Sequence, residues 1–198
     1  MKHVVITIGR EYGSGGRLIA KQLSEELGIT FYDKELITAV ARKTGFSENF
    51  IRDSEHQRPT NSFLYDLYTA VQTPSVPDQV FIAQAKVIKE AASRESCVIV
   101  GRCADYILKD RDDCLHTFIH ASMEFRADRI VRLYGESEQS PEKRLTDKDT
   151  RRRVNYKHYT DREWGMAQNY HITLDSGLIG IEKCVDIILD LVQDKTDG

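Results

Sequence analysis

The 198-residue chain has no long apolar run, and the longest, such as Cys97–Val100, are far too short to cross a bilayer. Nothing after Met1 resembles a secretory leader, because Lys2 and His3 lead directly into a short strand pattern. The four cysteines (Cys97, Cys103, Cys114, Cys184) form no C-x-x-C pair and have no histidine nearby at zinc spacing. These absences argue against a membrane protein, a disulfide-stapled secreted domain and a structural zinc site. Reduced, mostly buried thiols in a cytoplasmic protein are expected instead. Internal repeats and low-complexity segments are also lacking.

There is likewise no global positive field. The net charge is −3, which disfavours nucleic acid as a partner. The charge is nevertheless uneven. Residues 143–163 carry eight Lys/Arg against four acids, so this window is +4 and the rest of the chain −7. A local basic segment on an acidic body suits a small anionic ligand. With 40% hydrophobic and 30% charged residues, the composition is that of a globular protein, and the length fits one domain over 1–198.

The most informative stretch is residues 4–18. Val4-Val5-Ile6-Thr7-Ile8 has the β-branched, apolar character of a strand buried on both faces. Gly9, Gly13, Gly15 and Gly16 follow, and then Ile19, Leu23 and Leu27 recur at helical spacing. Strand, glycine turn and helix form a phosphate-binding layout, because backbone N–H groups converge at a positively polarised helix start. An ordinary glycine turn is the competing reading. The G-x-x-x-x-G-K-[ST] pattern is incomplete: Gly16 stands where the lysine belongs, and Leu18 offers no hydroxyl for Mg²⁺. Arg17 is the candidate for the missing charge.

Further strands are expected at Ile29–Tyr32, Ser96–Val100, Leu115–His120 and Tyr170–Leu174. Asp33 follows the second strand at the edge where ligands bind in parallel sheets, as either a site residue or a helix N-cap. Arg102 follows the third strand, as either a phosphate ligand or an ion-pair partner. Residues 34–94 read as a helical insertion or crossover, with Phe63, Leu64, Leu67 and Tyr68 at helical spacing and a turn or hinge at Thr73–Asp78. Ser122 can cap a helix with Met123, Ala127, Ile130, Val131 and Tyr134 on its core face, and Arg126, Arg129 and Arg132 on a solvated one. The last helix is expected to bury Leu178, Ile181, Val185, Ile188 and Val192. Alternating strands and helices predict a parallel α/β sheet covered on both faces. With the glycine loop, this is the P-loop NTPase three-layer fold, and residues of about 136–165 fall where a lid would.

In motif order the chain resembles cytidylate kinase-like proteins, a branch of the nucleoside monophosphate kinases. The resemblance runs through Gly9–Arg17, Phe31–Leu36, Val98–Arg102, Phe118–Ser122 with Arg126, Asp149–Arg152 with Tyr156, Tyr159-Thr160 and Trp164-Gly165, and closes at Asn169-Tyr170 and Leu174–Ser176. It implies transfer of the ATP γ-phosphoryl group, with Mg²⁺, to a nucleotide such as CMP or dCMP. It places Gly13, Ser14, Gly15, Gly16 and Arg17 on the ATP phosphates, and Asp33 and Arg102 on the acceptor side. Arg152 becomes a lid arginine acting in the transition state, oriented by Asp149. The missing lysine and hydroxyl leave two other readings open: a kinase for a different small phosphate acceptor, and a nucleotide-binding module without turnover.

Overall fold

The computed structural model describes residues 2–33, 35–54 and 75–197. Five strands form one parallel sheet: β1 (Val5–Arg10), β2 (Thr30–Tyr32), β3 (Cys97–Val100), β4 (Cys114–His120) and β5 (Ile172–Asp175). Their order is β2-β3-β1-β4-β5. The central strand pairs Val5 with both Cys97 and Cys114, and Arg10 with Ile119. The glycine turn after β1 therefore leaves the middle of the carboxyl edge, between the ends of β3 and β4.

Alternation along β1 sends its side chains to two cores. Val4, Ile6 and Ile8 pack with Ile19 and Leu23 of α1 (Gly16–Leu27) and with the last helix. Val5, on the other face, joins Leu36 and Val40 of α2 (Glu35–Thr44), Ile51 of α3 (Glu48–Ser54), and Val80 and Ile88 of α4 (Val76–Arg94). The three-layer α/β expectation is met, and α2 and α4 form the crossover that covers one face. Phe63, Leu64, Leu67 and Tyr68 lie outside the described residues. All four cysteines are buried thiols outside any disulfide. Burial pushes the Cys97 and Cys114 thiols up to about 12, so both remain protonated at neutral pH. Among the described residues no helix is long and apolar enough to cross a membrane.

Three expectations change. Met123 and Tyr134, expected on the core face of their helix, are 42% and 61% exposed. The hinge at Thr73–Asp78 is in its described part a helix start: the Ser75 hydroxyl accepts from the Asp78 N–H, and Pro77 sits in the first turn. Ser at the N-cap and Pro in the first turn are the chemistry of a helix start. The final helix is also broken. Ser176–Ile179 forms a short turn of helix, α8, before Gly180 at φ 84°, and the long helix begins at Ile181. Leu178 is consequently 84% exposed rather than in the core.

Leu23 is fully buried between α1 and the sheet. Leu23→Ala is expected to cost about 2–5 kcal/mol in urea unfolding, and Leu178→Ala less than about 0.5 kcal/mol.

Candidate active site

Two glycines give the β1–α1 loop its shape. Gly13 and Gly15 have φ of 83° and 85°, where side chains are strained. Space excludes a side chain as well, since a Cβ on Gly15 would run into Ile181 and one on Gly13 would meet the Arg126 carbonyl at 3.0 Å. Gly15 caps α1 without any side-chain hydrogen bond. Leu18 N–H donates to the Gly15 carbonyl at 2.8 Å, and the helix start at Gly16 and Arg17 borders an open cleft that it polarises positively. Ser14 is oriented otherwise than expected. Its buried hydroxyl donates to the Glu11 carbonyl at 2.9 Å, and its carbonyl accepts from the Ser176 hydroxyl at 2.5 Å. The Ser14 side chain is a strut of the loop rather than a phosphate ligand.

A buried charge network holds this loop. Helix α6 (Met123–Tyr134) is capped by Ser122, whose hydroxyl accepts from the Phe125 N–H. Its Arg126, expected on a solvated face, is only 5% exposed. The Arg126 guanidinium donates to Asp149 Oδ2 at 2.5 Å, to the Tyr12 carbonyl at 3.2 Å and to the Ala121 carbonyl at 3.1 Å, with Glu11 Oε2 at 3.3 Å. Asp149 comes from α7 (Pro141–Thr160), and its Oδ1 accepts from the Tyr12 N–H at 2.8 Å. Both backbone polar groups of Tyr12 are therefore held by side chains of the two following helices. Arg126 precedes Ile130 by one helical turn, a spacing that places both on the buried side. That spacing was the available signal for its burial.

Asp149 Oδ1 also lies 3.3 Å from Arg152 Nη1, which donates to the Arg10 carbonyl at 3.1 Å. The Arg152 guanidinium sits 5.7 Å from the Tyr12 ring centroid. Burial lowers its pKa from the ordinary arginine value, with Asp149 and Tyr12 opposing that shift. A guanidinium short of water is predisposed to bind an anion.

Two clefts flank these residues. One, of about 360 Å³, lies over the glycine loop and includes Gly15, Gly16, Arg17, Lys21 and Arg129. The other, of about 280 Å³, is lined by Gln84, Arg102, Lys148, Arg151, Asn155 and the stacked pair Phe81–Tyr159. Arg10, Tyr12 and Arg152 line both. The two clefts thus meet at a pair of arginines.

Arg102 lines the second cleft from an unusual turn. Gly101, Arg102 and Cys103 all have left-handed φ, at 69°, 59° and 55°. Two non-glycine residues in this region cost about 1–2 kcal/mol each. Buried Gln84 holds the turn, donating to the Arg102 carbonyl at 3.3 Å and accepting from Arg102 Nη1 at 3.0 Å. Beneath it, the Tyr156 hydroxyl donates at 2.6 Å to buried Asp105 of the short helix α5 (Ala104–Ile107), and burial raises the Asp105 carboxyl above its ordinary value. Neither Gln84 nor Asp105 was singled out from the sequence. Each is a lone polar residue in an amphipathic stretch and carries no motif.

Asp33 is not among the residues lining the Arg102 cleft. It accepts from Arg17 Nε at 2.6 Å, on the far side of the glycine loop, so the cation it orients is Arg17. Arg17 stands on the cleft rim with its side chain 62% exposed. For Mg²⁺ the described residues offer little: no three His, Cys, Asp or Glu side chains among them cluster to hold a metal. Ser14 is turned inward and Asp149 is committed to Tyr12 and Arg126. These residues do not fit a protein-held Mg²⁺.

A five-stranded parallel sheet with a glycine loop at its central carboxyl edge and two basic clefts meeting beside it defines a kinase of the P-loop fold, an ATP-dependent phosphotransferase by class. Residues 5–178 match the model of the cytidylate kinase-like family, and the chain belongs to that family. The cytidylate kinase of Aeropyrum pernix is 24% identical over 179 residues, covering 90% of this chain and 92% of its own. Among solved structures, an uncharacterized protein from Eubacterium ventriosum is 27% identical with a TM-score of 0.74, covering 96% of this chain and 99% of its own. Shikimate kinase from Acinetobacter baumannii, solved with shikimate, shares the fold at 16% identity and a TM-score of 0.52, covering 98% and 94%.

Asp149→Ala would strand Arg126 as a buried charge, with an expected loss of about 3–5 kcal/mol in equilibrium unfolding. Arg17→Ala, which breaks an exposed pair, is expected to cost less than about 1 kcal/mol in the same measurement.

Proposed function

We propose that the protein transfers the γ-phosphoryl group of ATP to a pyrimidine nucleoside monophosphate of the CMP or dCMP type, in a cytoplasmic setting. The observation that carries this reading is the junction of the two clefts at Arg10 and Arg152. In-line phosphoryl transfer needs two anions brought end to end, charge neutralised between them and water excluded. The cleft over the glycine loop takes ATP, with the Gly13–Gly16 backbone on the phosphates and Arg17 and Lys21 at its rim. Mg²⁺ travels on the phosphates of the nucleotide. The Arg102 cleft takes the acceptor, whose phosphate meets the fork of Arg102. Arg152, held by Asp149, neutralises charge as it develops. The lid is then α7 itself, coupled to the loop through Asp149, and its tilt closes the junction.

One observation favours a different small phosphate acceptor. Phe81 and Tyr159 stack on each other, with centroids 3.9 Å apart and planes at 6°. That pair is already satisfied and does not sandwich a base. A coupled ADP-release screen with ATP–Mg²⁺, run against all nucleoside monophosphates and then against phosphorylated sugars, separates the two readings. Activity confined to the sugars would remove the nucleotide acceptor and leave the kinase.

Arg152→Ala is expected to lower kcat by about 10²–10³-fold with little change in KM, as for an interaction made in the transition state. An equal rise in KM would make Arg152 a substrate clamp. Arg102→Ala is expected to abolish turnover while leaving the calorimetric affinity for ATP nearly unchanged.

A further inference from the structure

The glycine loop lacks its lysine, and the structure shows what occupies that space. A Cβ built on Gly16, the position of the absent lysine, would meet the Cβ of Arg10 at 2.6 Å and its Cγ at 3.1 Å. The stem of Arg10 therefore crosses directly over Gly16, and no side chain fits there while Arg10 keeps this course. Its guanidinium comes to rest on Gly101, where an added Cβ would fall against Nη1 and lie 2.8 Å from Cζ. Arg10 thus spans from the start of α1 to the turn that presents Arg102. It lines both clefts, and it leaves the last residue of the central strand. Of the three residues shared by the clefts, Tyr12 is neutral and Arg152 belongs to the basic helix. Arg10 is the shared cation supplied by the sheet.

The geometry points to Arg10 as the catalytic cation that contacts the transferring phosphoryl group, in place of the missing loop lysine. This rests on the kinase reading above. The sequence suggested Arg17 for that charge, but Arg17 stands on the rim, paired with Asp33. Arg10 has the better position for chemical reasons. A planar guanidinium donates to two oxygens at once, so it can bridge a γ-oxygen of ATP and an oxygen of the acceptor phosphate. In the step it assists, an acceptor phosphate oxygen attacks the γ-phosphorus. The new P–O bond forms as the bond to the β–γ bridging oxygen breaks, and ADP leaves with that electron pair. Arg10 exchanges no proton; its donors hold the negative charge that builds on the bridging oxygen and is shared by the γ-oxygens in the transition state. A strand end fixes it more rigidly than a loop would.

The test compares wild type, Arg10→Gln, Arg10→Lys, Arg10→Gly and the double variant Arg10→Gly/Gly16→Lys, which moves the charge to the usual lysine position. Turnover, ADP affinity and affinity for ADP with aluminium fluoride are measured for each. Arg10→Gln should lose about 10²–10³-fold in kcat and lose the extra affinity that fluoroaluminate gives to ADP, while binding ADP itself within about threefold of wild type. Arg10→Lys should fall between the two. The double variant should regain at least about tenfold in kcat over Arg10→Gly. The proposal is overturned if Arg10→Gln keeps its kcat, if its ADP affinity and thermal midpoint fall in step with activity, or if the double variant binds ADP without regaining turnover. If wild type turns over no acceptor, the functional reading fails by itself, and the ADP–fluoroaluminate comparison still decides the role of Arg10.

Discussion

The site depends on how Arg126 and Asp149 grip the backbone of Tyr12. A glycine-rich loop is costly to hold in one shape, because glycine loses more conformational freedom on ordering than other residues. Here the Tyr12 N–H and carbonyl are both fixed by charged side chains, and Glu11 completes the network. Neither charge would be stable alone at this burial; each is offset by the other and by backbone groups. The same carboxylate that fixes the loop also stands beside Arg152. One buried aspartate therefore sets the position of the glycine loop and of the Arg152 cation beside it.

On the proposed reading, arginines take the place of the loop lysine and hydroxyl that the chain lacks. Arg10, Arg102 and Arg152 approach the junction of the clefts from β1, from the left-handed turn after β3, and from α7. Each is held differently: one by close approach to two glycines, one by Gln84, and one by Asp149. Guanidinium groups suit such a site because they stay charged when partly dehydrated and donate in a plane.

The parts legible in the sequence were those written locally. The run Val4–Ile8, the glycines and the Ile19/Leu23 stripe lie within one window, and their periods name strand, loop and helix without tertiary information. Ser122 read as a cap for the same reason. Arg126 did not, because most of its partners lie far away, at residues 11, 12 and 149, and a charge run on a helix ordinarily faces water. Asp33 read correctly as lying at a strand end, yet its partner came from the opposite side of the loop. The exposure of Leu178 turned on Gly180, a backbone break that periodicity alone ignores.

The clamp on Tyr12 also bears on the order in which the chain can fold. Its two hydrogen bonds close sequence separations of 137 and 114 residues, and the Ser176–Ser14 bond closes one of 162. Contacts so distant are entropically expensive until the intervening chain is compact. The glycine loop, though it precedes most of the residues that clamp it, is expected to be among the last parts to set. A truncated chain ending before α7 would keep the loop's amino acids and lack its shape. In folding kinetics, substitutions at Asp149 should therefore act on unfolding rather than on refolding, with φ near zero.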